Sequence, residues 1–267
     1  MPEIRLAAVA GLFYPDSPDQ LRDEVDAYLA RASTQCLAET DSGDSIKAII
    51  VPHAGYQYSG QCAAYAYARI QANAEHIERV VLLGPAHREA FQGIALPDCR
   101  QFETPLGCVP LATAQMDRLL KTGMVHQRAS AHMQEHSLEV QLPFLQRCLH
   151  TFDLLPLLVG DADTQTIAML LESVWGGKET LIVVSTDLSH FHPYECAEVI
   201  DAATCRNIES MNPNLSGDQA CGCRPLNGLL TIAKRKDMHI DGLYRCNSGD
   251  AGGPRERVVG YAAYAMH

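Results

Sequence analysis

A continuous apolar run that ends in a proline and a histidine is the feature that most constrains how this chain can fold. Residues 48–51 read Ala-Ile-Ile-Val, a pattern typical of a strand that is covered on both faces. Pro52 cannot donate a hydrogen bond to a sheet, so strand pairing should end there. His53 is therefore expected at the carboxyl end of a buried strand, which is where open α/β sheets bind their ligands.

The same pattern occurs again further along the chain. Residues 80–83 form a second apolar run, followed by Gly-Pro-Ala and then by His87. Residues 181–184 form a third, and Asp187 and His190 follow it. If these strands are parallel neighbours, their carboxyl ends lie at one edge of the sheet and bring these polar side chains close together.

Predicted strands alternate with predicted helices along the chain, which indicates an α/β fold with a mostly parallel central sheet flanked by helices. The clearest predicted helices cover residues 20–32, 61–71, 113–121, 137–149, 194–211 and 225–236. Two strands are predicted near the end, at 239–247 and 258–265. We find no linker, so we expect one domain that covers residues 1–267.

Composition excludes several classes of protein. The net charge is −11 and the one basic cluster is residues 234–236, which argues against a nucleic-acid or anionic membrane partner. The sequence predicts no secretory signal and no transmembrane segment. Its ten cysteines form no Cys-x-x-Cys pair, so we expect reduced thiols and a cytoplasmic protein.

A glycine-rich turn at residues 248–253 carries one carboxylate, Asp250. Together with His53 and His87 it would complete the two-histidine, one-carboxylate set of non-heme iron(II) enzymes. His190 would then act as an acid or base, and Asp187 would orient it or orient a ligand histidine. The thiol of Cys246 is an alternative third ligand.

His136 has two interpretations. It stands at the start of a predicted helix, where Ser137 would be the N-cap and the histidine a part of the capping segment. Alternatively, His136 reaches the pocket and contacts substrate or a proton.

Five segments occur in a recognisable order. They are AVAGLFYP at 8–15, VPHAGY at 51–56, LGPAH at 83–87, EHSLEVQLPFL at 135–145 and STDLSH at 185–190. Together they resemble the Memo family, whose prokaryotic members are called AmmeMemoRadiSam system protein B. The similarity extends from about residue 5 to the last predicted strand.

This resemblance implies a fold similar to that of class III extradiol ring-cleaving dioxygenases, which hold iron(II) with two histidines and a carboxylate. By motif, His53 and His87 match the metal histidines, and His190 matches the acid–base histidine. The third ligand matches the turn after Tyr244, where the human family member has a cysteine. Counting from Tyr244 gives Asp250, and an insertion before Ser248 would give Cys246 instead.

Three alternative functions are considered. The first is an iron(II)-dependent, dioxygenase-like oxidoreductase that acts on a small molecule, with copper or zinc as other candidate metals. The second is a non-catalytic module that binds a peptide or partner protein in the same pocket. The third is zinc-assisted hydrolysis. Family association also suggests radical-SAM and AMMECR-type partner proteins.

Overall fold

The computed structural model describes residues 3–36, 45–71 and 74–267. Within these residues the chain forms twelve β-strands, eight α-helices and two short 3₁₀ helices at Ala74–His76 and Glu139–Gln141. The strands are β1 (Ile4–Arg5), β2 (Ala48–Val51), β3 (Arg79–Pro85), β4 (Ile94–Leu96), β5 (Gln101–Thr104), β6 (Gly107–Pro110), β7 (His126–Gln127), β8 (Asp153–Val159), β9 (Thr180–Ser185), β10 (His190–His192), β11 (Ile240–Asn247) and β12 (Val258–Met266). The helices are α1 (Pro18–Cys36), α2 (Tyr56–Gln71), α3 (Thr113–Thr122), α4 (Ala129–Met133), α5 (Leu142–Cys148), α6 (Thr164–Ser173), α7 (Tyr194–Glu209) and α8 (Cys223–Arg235).

The main sheet has the strand order β10-β12-β2-β9-β3-β8-β4-β7. Strand β11 lies outside this order and also pairs with β12. The four central strands of the sheet, β2, β9, β3 and β8, are parallel, as the apolar runs predict. On each side of these four strands the next strand is antiparallel, because β12 runs against β2 and β4 runs against β8. The predicted α/β architecture is confirmed, and the complete sheet is mixed. A second, small sheet has the order β1-β5-β6.

The central strands are covered on both faces, which explains their uninterrupted apolar sequences. All residues of β2 and β9 are buried, as are all but the first residues of β3 and β8. Helix α2 packs against β2, β11 and β12, and α1 and α5 pack against α2. Helix α8 packs against β3 and β9, and α6 packs against α8. None of the helices in the described residues combines the length and apolar character needed to cross a membrane.

The predicted helix at 137–149 is wrong in its first part. Ser137 is not an N-cap, because its hydroxyl donates a hydrogen bond to the Pro85 carbonyl, 2.8 Å away. A 3₁₀ helix at Glu139–Gln141 follows, and the α-helix itself begins only at Leu142. Pro143 lies in the first turn of this helix. Proline is tolerated there because the backbone N–H groups of the first turn make no hydrogen bond within the helix. Residues 135–138 are thereby available as a loop at the end of β3.

Strand register brings the ends of the central strands level with one another. Val51 of β2 pairs with Ser185 of β9, and Leu83 of β3 pairs with Val184 of β9. The residues that follow these three strands therefore leave the sheet at a common edge, as expected for parallel neighbours.

Candidate metal centre

Three histidines meet at this edge of the sheet. His53 follows β2, His87 follows β3, and His136 lies in the loop before the 3₁₀ helix. One ring nitrogen from each lies within 4.8 Å of the others, and this is the one group of that kind among the described residues. Ring centroids are 5.1 Å apart for His53–His87, 5.5 Å for His53–His136 and 4.8 Å for His87–His136.

Hydrogen bonds fix the tautomer of His53. The Ser185 hydroxyl, which carries one proton, donates it to the Ser137 carbonyl at 2.6 Å. It accepts a hydrogen bond from the Gln141 side-chain amide at 2.9 Å. Nδ1 of His53, which is 2.9 Å from the same hydroxyl oxygen, must therefore be the donor. The lone pair of His53 is left on Nε2, the nitrogen that a metal ion would bind.

Glu135 holds the other two histidines. Its Oε1 lies 2.9 Å from Nδ1 of His87 and accepts the backbone N–H groups of His136 and Ser137. Its Oε2 accepts the backbone N–H of His87. Nδ1 of His136 is buried and makes no hydrogen bond, although it lies 3.3 Å from Oε1 of Glu135. A carboxylate that receives Nδ1–H of a histidine is the usual support of a metal-binding imidazole.

Burial sets the protonation states. It lowers the pKa of His53 well below its ordinary value, and the neighbouring His87 acts in the same direction. Burial and the charge of His53 lower the pKa of His136 to about 4. Burial alone would raise the pKa of Glu135, but the hydrogen bonds and charge of His87 hold it well below the usual range. At neutral pH the centre therefore contains two neutral imidazoles, one buried and one partly buried, beside an ionised carboxylate.

Cys221 is a candidate ligand that the sequence did not indicate. Its Sγ lies 3.3 Å from Nε2 of His53, so the protonated thiol donates a hydrogen bond to that nitrogen. Burial and the nearby Asp187 carboxylate raise the pKa of Cys221 to about 12, so it is a thiol in the metal-free protein. A Cβ on Gly222 would lie 2.6 Å from Cβ of Thr186, so only glycine allows Cys221 to approach β9 this closely. The sequence feature that could have indicated Cys221 is the dipeptide Cys221-Gly222 directly before α8.

Asp187 and His190 lie next to the histidines. Asp187 is buried, and its Oδ1 accepts the backbone N–H of His53 at 2.7 Å. Its Oδ2 lies 4.0 Å from Nε2 of His53, and burial raises the pKa of the carboxyl group. Asp187 therefore contacts His53, and both predicted roles of Asp187 stay predictions. His190 is partly buried on β10, and its charge lowers the pKa of both His53 and Asp187.

The structure does not bring Asp250 into the histidine group. Asp250 is exposed, and its two oxygens accept hydrogen bonds from the Tyr194 hydroxyl at 2.7 Å and the Asn247 backbone at 2.9 Å. Both oxygens therefore stabilise the turn in which the residue lies. Cys246 is partly buried on β11 and is likewise outside the group. His136, predicted either as a capping residue or as a pocket residue, lies in the histidine group.

The donor atoms fit a first-row transition metal. Imidazole nitrogen suits iron, copper and zinc, whereas magnesium and calcium prefer oxygen ligands. Three histidines leave coordination positions open for small molecules. The unpartnered Nδ1 of His136 is a nitrogen atom of the kind that a bound metal would satisfy, and Nε2 of His53 has the Cys221 thiol as its partner.

A cavity of about 980 Å³ lies on the other side of Cys221. Its walls include Pro85 and Ala86, which precede His87, and the apolar residues Phe91, Leu215 and Pro225. The cavity is large enough for a small organic molecule. Arg224, the cation in its wall, pairs with Asp161 at 2.5 Å and therefore offers little free charge to an anion.

Comparison with known proteins shows the family of this chain. The family model described as Memo-like protein matches residues 5–265. A MEMO1 family protein of Aquifex aeolicus is 34% identical, with 97% of each chain covered. One from Methanopyrus kandleri is 32% identical over 97% of both chains, and one from Methanocaldococcus jannaschii is 31% identical over 98% of this chain and 99% of its own. The chain, with its three clustered histidines at the end of a parallel sheet, belongs to the Memo family.

Proposed function

We propose that this protein is a metal-dependent oxidoreductase in which His53, His87 and His136 bind one iron(II) ion. The observation that carries the proposal is the convergence of three ring nitrogens within 4.8 Å of one another. Two of these rings have Nδ1 engaged by Ser185 and Glu135, which leaves Nε2 to face the ion. His136 replaces Asp250 as the third ligand in this proposal.

The charges around the site support a divalent ion. Glu135 is ionised and touches His87, and Asp187 lies 4.0 Å from Nε2 of His53. These two carboxyl groups offset the positive charge of a bound ion without occupying its open positions. When bound, iron(II) supplies the one-electron chemistry that amino-acid side chains lack.

Other residues of the chain transfer protons and bind the substrate in this proposal. The imidazole of His190, which lies close enough to Asp187 for its charge to affect that pKa, takes or returns a proton of the substrate. We place the substrate in the cavity behind Cys221, which combines apolar and polar walls and is connected to His87 through Pro85 and Ala86. The paired Arg224 favours a neutral small molecule over a phosphorylated peptide.

Metal analysis after anaerobic reconstitution with iron(II) tests this proposal. We expect close to one iron per wild-type chain and little iron in His53→Ala, His87→Ala and His136→Ala. Asp250→Ala and the exposed control His126→Ala should retain iron at the wild-type level. Equal iron content in the wild type and the three histidine variants would exclude the site. Loss of iron in Asp250→Ala would restore that residue as a ligand.

Copper or zinc is favoured over iron by one observation, the thiol of Cys221 at 3.3 Å from His53. Thiolate ligands select copper(I) and zinc more strongly than iron(II). A competition experiment with the three metals, in the wild type and in Cys221→Ser, distinguishes the alternatives. A preference for copper or zinc that disappears in Cys221→Ser would assign the site to a softer metal.

A further inference from the structure

Phe191 has a backbone conformation that its residue type rarely adopts. Its φ angle is +63°, in the left-handed region, where a bulky side chain meets the backbone unfavourably. Among the described residues, Met211 and Asp237 are the other non-glycine residues with positive φ. Each of those follows the last turn of a helix, α7 or α8, where this conformation is the common way to end a helix. Phe191 ends no helix, and its strain needs another explanation.

The strain coincides with an irregularity in the sheet. His190 pairs with Val259 and His192 pairs with Val258, so β10 uses one more residue than β12 at this point. Phe191 is the extra residue, which makes the site a β-bulge with a phenylalanine where glycine would be easiest. Bulges bend a strand and turn the neighbouring side chains, and they are common beside active sites. The side chain that this bulge turns is that of His190.

The backbone before the bulge is firmly held. Leu188 donates to the carbonyl of Gly260 at 2.8 Å, and Gly260 donates to the carbonyl of Ser189 at 2.9 Å. The Ser189 N–H is bonded to the buried Asp201 carboxylate at 3.0 Å. The direction of His190 is therefore decided between a fixed Ser189 and the bulge at Phe191.

The ring of Phe191 is not buried in the core. It is 60% exposed, so core packing does not hold the backbone in its strained form. The Arg257 guanidinium instead lies 4.9 Å from the centre of the ring, a distance typical of a cation–π contact. The ring also lies edge-on to the His190 imidazole, with centroids 5.7 Å apart. Phe191 thus contacts a cation and the imidazole of His190.

We propose that Phe191, held in its left-handed bulge by Arg257, is the positioning residue that keeps the His190 imidazole in one orientation beside the metal centre. This inference rests on the proposed proton-transfer role of His190. The strain at Phe191 persists because Arg257 on one side and the pinned segment 187–189 on the other determine the conformation.

The test measures the orientation of His190 directly, in protein without metal. Three-bond Hα–Hβ couplings of His190, assigned with His190→Gln, are unequal for a single side-chain rotamer and averaged for a mobile one. We expect unequal couplings in the wild type, and averaged couplings in Phe191→Gly and Arg257→Gln. Arg255→Gln is the matched control, because it removes a neighbouring cation, 3.7 Å from the Tyr194 ring centre, without touching Phe191. The control should retain the wild-type couplings.

Two further measurements separate positioning from packing. Because glycine adopts positive φ without strain, Phe191→Gly should melt at or above the wild-type temperature. In cobalt(II)-loaded protein, the paramagnetic shift of the His190 ring protons should fall at least twofold in Phe191→Gly at unchanged cobalt content. Unequal couplings in Phe191→Gly, or a clearly lower melting temperature, would overturn the proposal. Failure of the wild type to bind cobalt would refute the metal site, and the metal-free couplings would still decide the role of Phe191.

Discussion

At the scale of single residues, Glu135 connects two of the three histidines. Its carboxylate accepts Nδ1–H of His87 and three backbone N–H groups, from His87, His136 and Ser137. A buried carboxylate with this many donors remains charged. It therefore orients His87 and also supplies a negative charge to the metal centre.

Replacing Glu135 with glutamine removes this charge and keeps most of the shape. We expect metal affinity to fall about 10- to 100-fold, because partners behind metal-binding histidines have effects of this size. Competition with a chelating dye measures the change. Glu89→Gln is the control, since Glu89 pairs with Arg128 at the protein surface and should leave affinity unaltered. An unchanged affinity in Glu135→Gln would show that the carboxylate only shapes the loop.

At the scale of secondary-structure elements, the 3₁₀ helix Glu139–Gln141 follows the loop of residues 135–138 and also contacts the segment of residues 5–14. Glu139 is fully buried and pairs with Arg5 at 2.6 Å. The same carboxylate accepts N–H groups of Ala8 and Val9 and the Tyr14 hydroxyl. Phe13, within this segment, contacts the ring of His136 with centroids 4.7 Å apart. The Glu139 carboxylate therefore connects residues 5–14 to the chain that follows the loop of residues 135–138.

Removal of this carboxylate should destabilise the protein strongly. Glu139→Ala leaves the Arg5 guanidinium buried without its partner, and we expect a loss of about 3–5 kcal/mol of unfolding free energy. Urea denaturation at neutral pH provides the measurement. Asp26→Ala breaks the more exposed pair with Arg147 and should change the unfolding free energy by no more than about 1 kcal/mol. Similar losses in both variants would contradict the assigned role of Glu139.

The sequence predicts the site residues that follow strands better than the site residues that lie in loops. His53 and His87 were found because each follows an apolar strand and a proline, and parallel strands bring such residues together. Glu135 and Cys221 come from loops whose position depends on tertiary packing, and no periodicity marks them. Asp250 was suggested by its place in a glycine-rich turn, but only the structure shows that its oxygens are engaged by Tyr194 and Asn247.

At the scale of the whole molecule, buried neutral histidines link stability to pH. His132 is almost fully buried and bonds to the Ala95 carbonyl at 3.1 Å. Burial lowers its pKa to about 4, from an ordinary value of 6.5. Above pH 6.5 it is neutral in both folded and unfolded chains. Between pH 6.5 and 4 the unfolded chain takes up a proton that the folded chain does not, so stability falls as the pH is lowered.

We expect His132 alone to account for a loss of about 2 kcal/mol of unfolding free energy between pH 7.5 and 4.5. Urea denaturation at several pH values, compared between the wild type and His132→Gln, measures this contribution. The variant should lose less stability over the interval than the wild type, because its residue 132 does not titrate. Parallel pH profiles would show that His132 is protonated or solvated in the folded protein.

The position of β12 has a consequence for how the protein matures in the cell. This strand pairs with β2, β10 and β11, yet it comes after all of them along the chain. While the ribosome is still translating residues before 258, β2 and β10 lack a shared neighbour, and the Leu188–Ser189 backbone lacks Gly260. A prematurely terminated chain would therefore expose unpaired strand edges and become a substrate for proteases. Pairing of β12 should accordingly be the step that completes the main sheet.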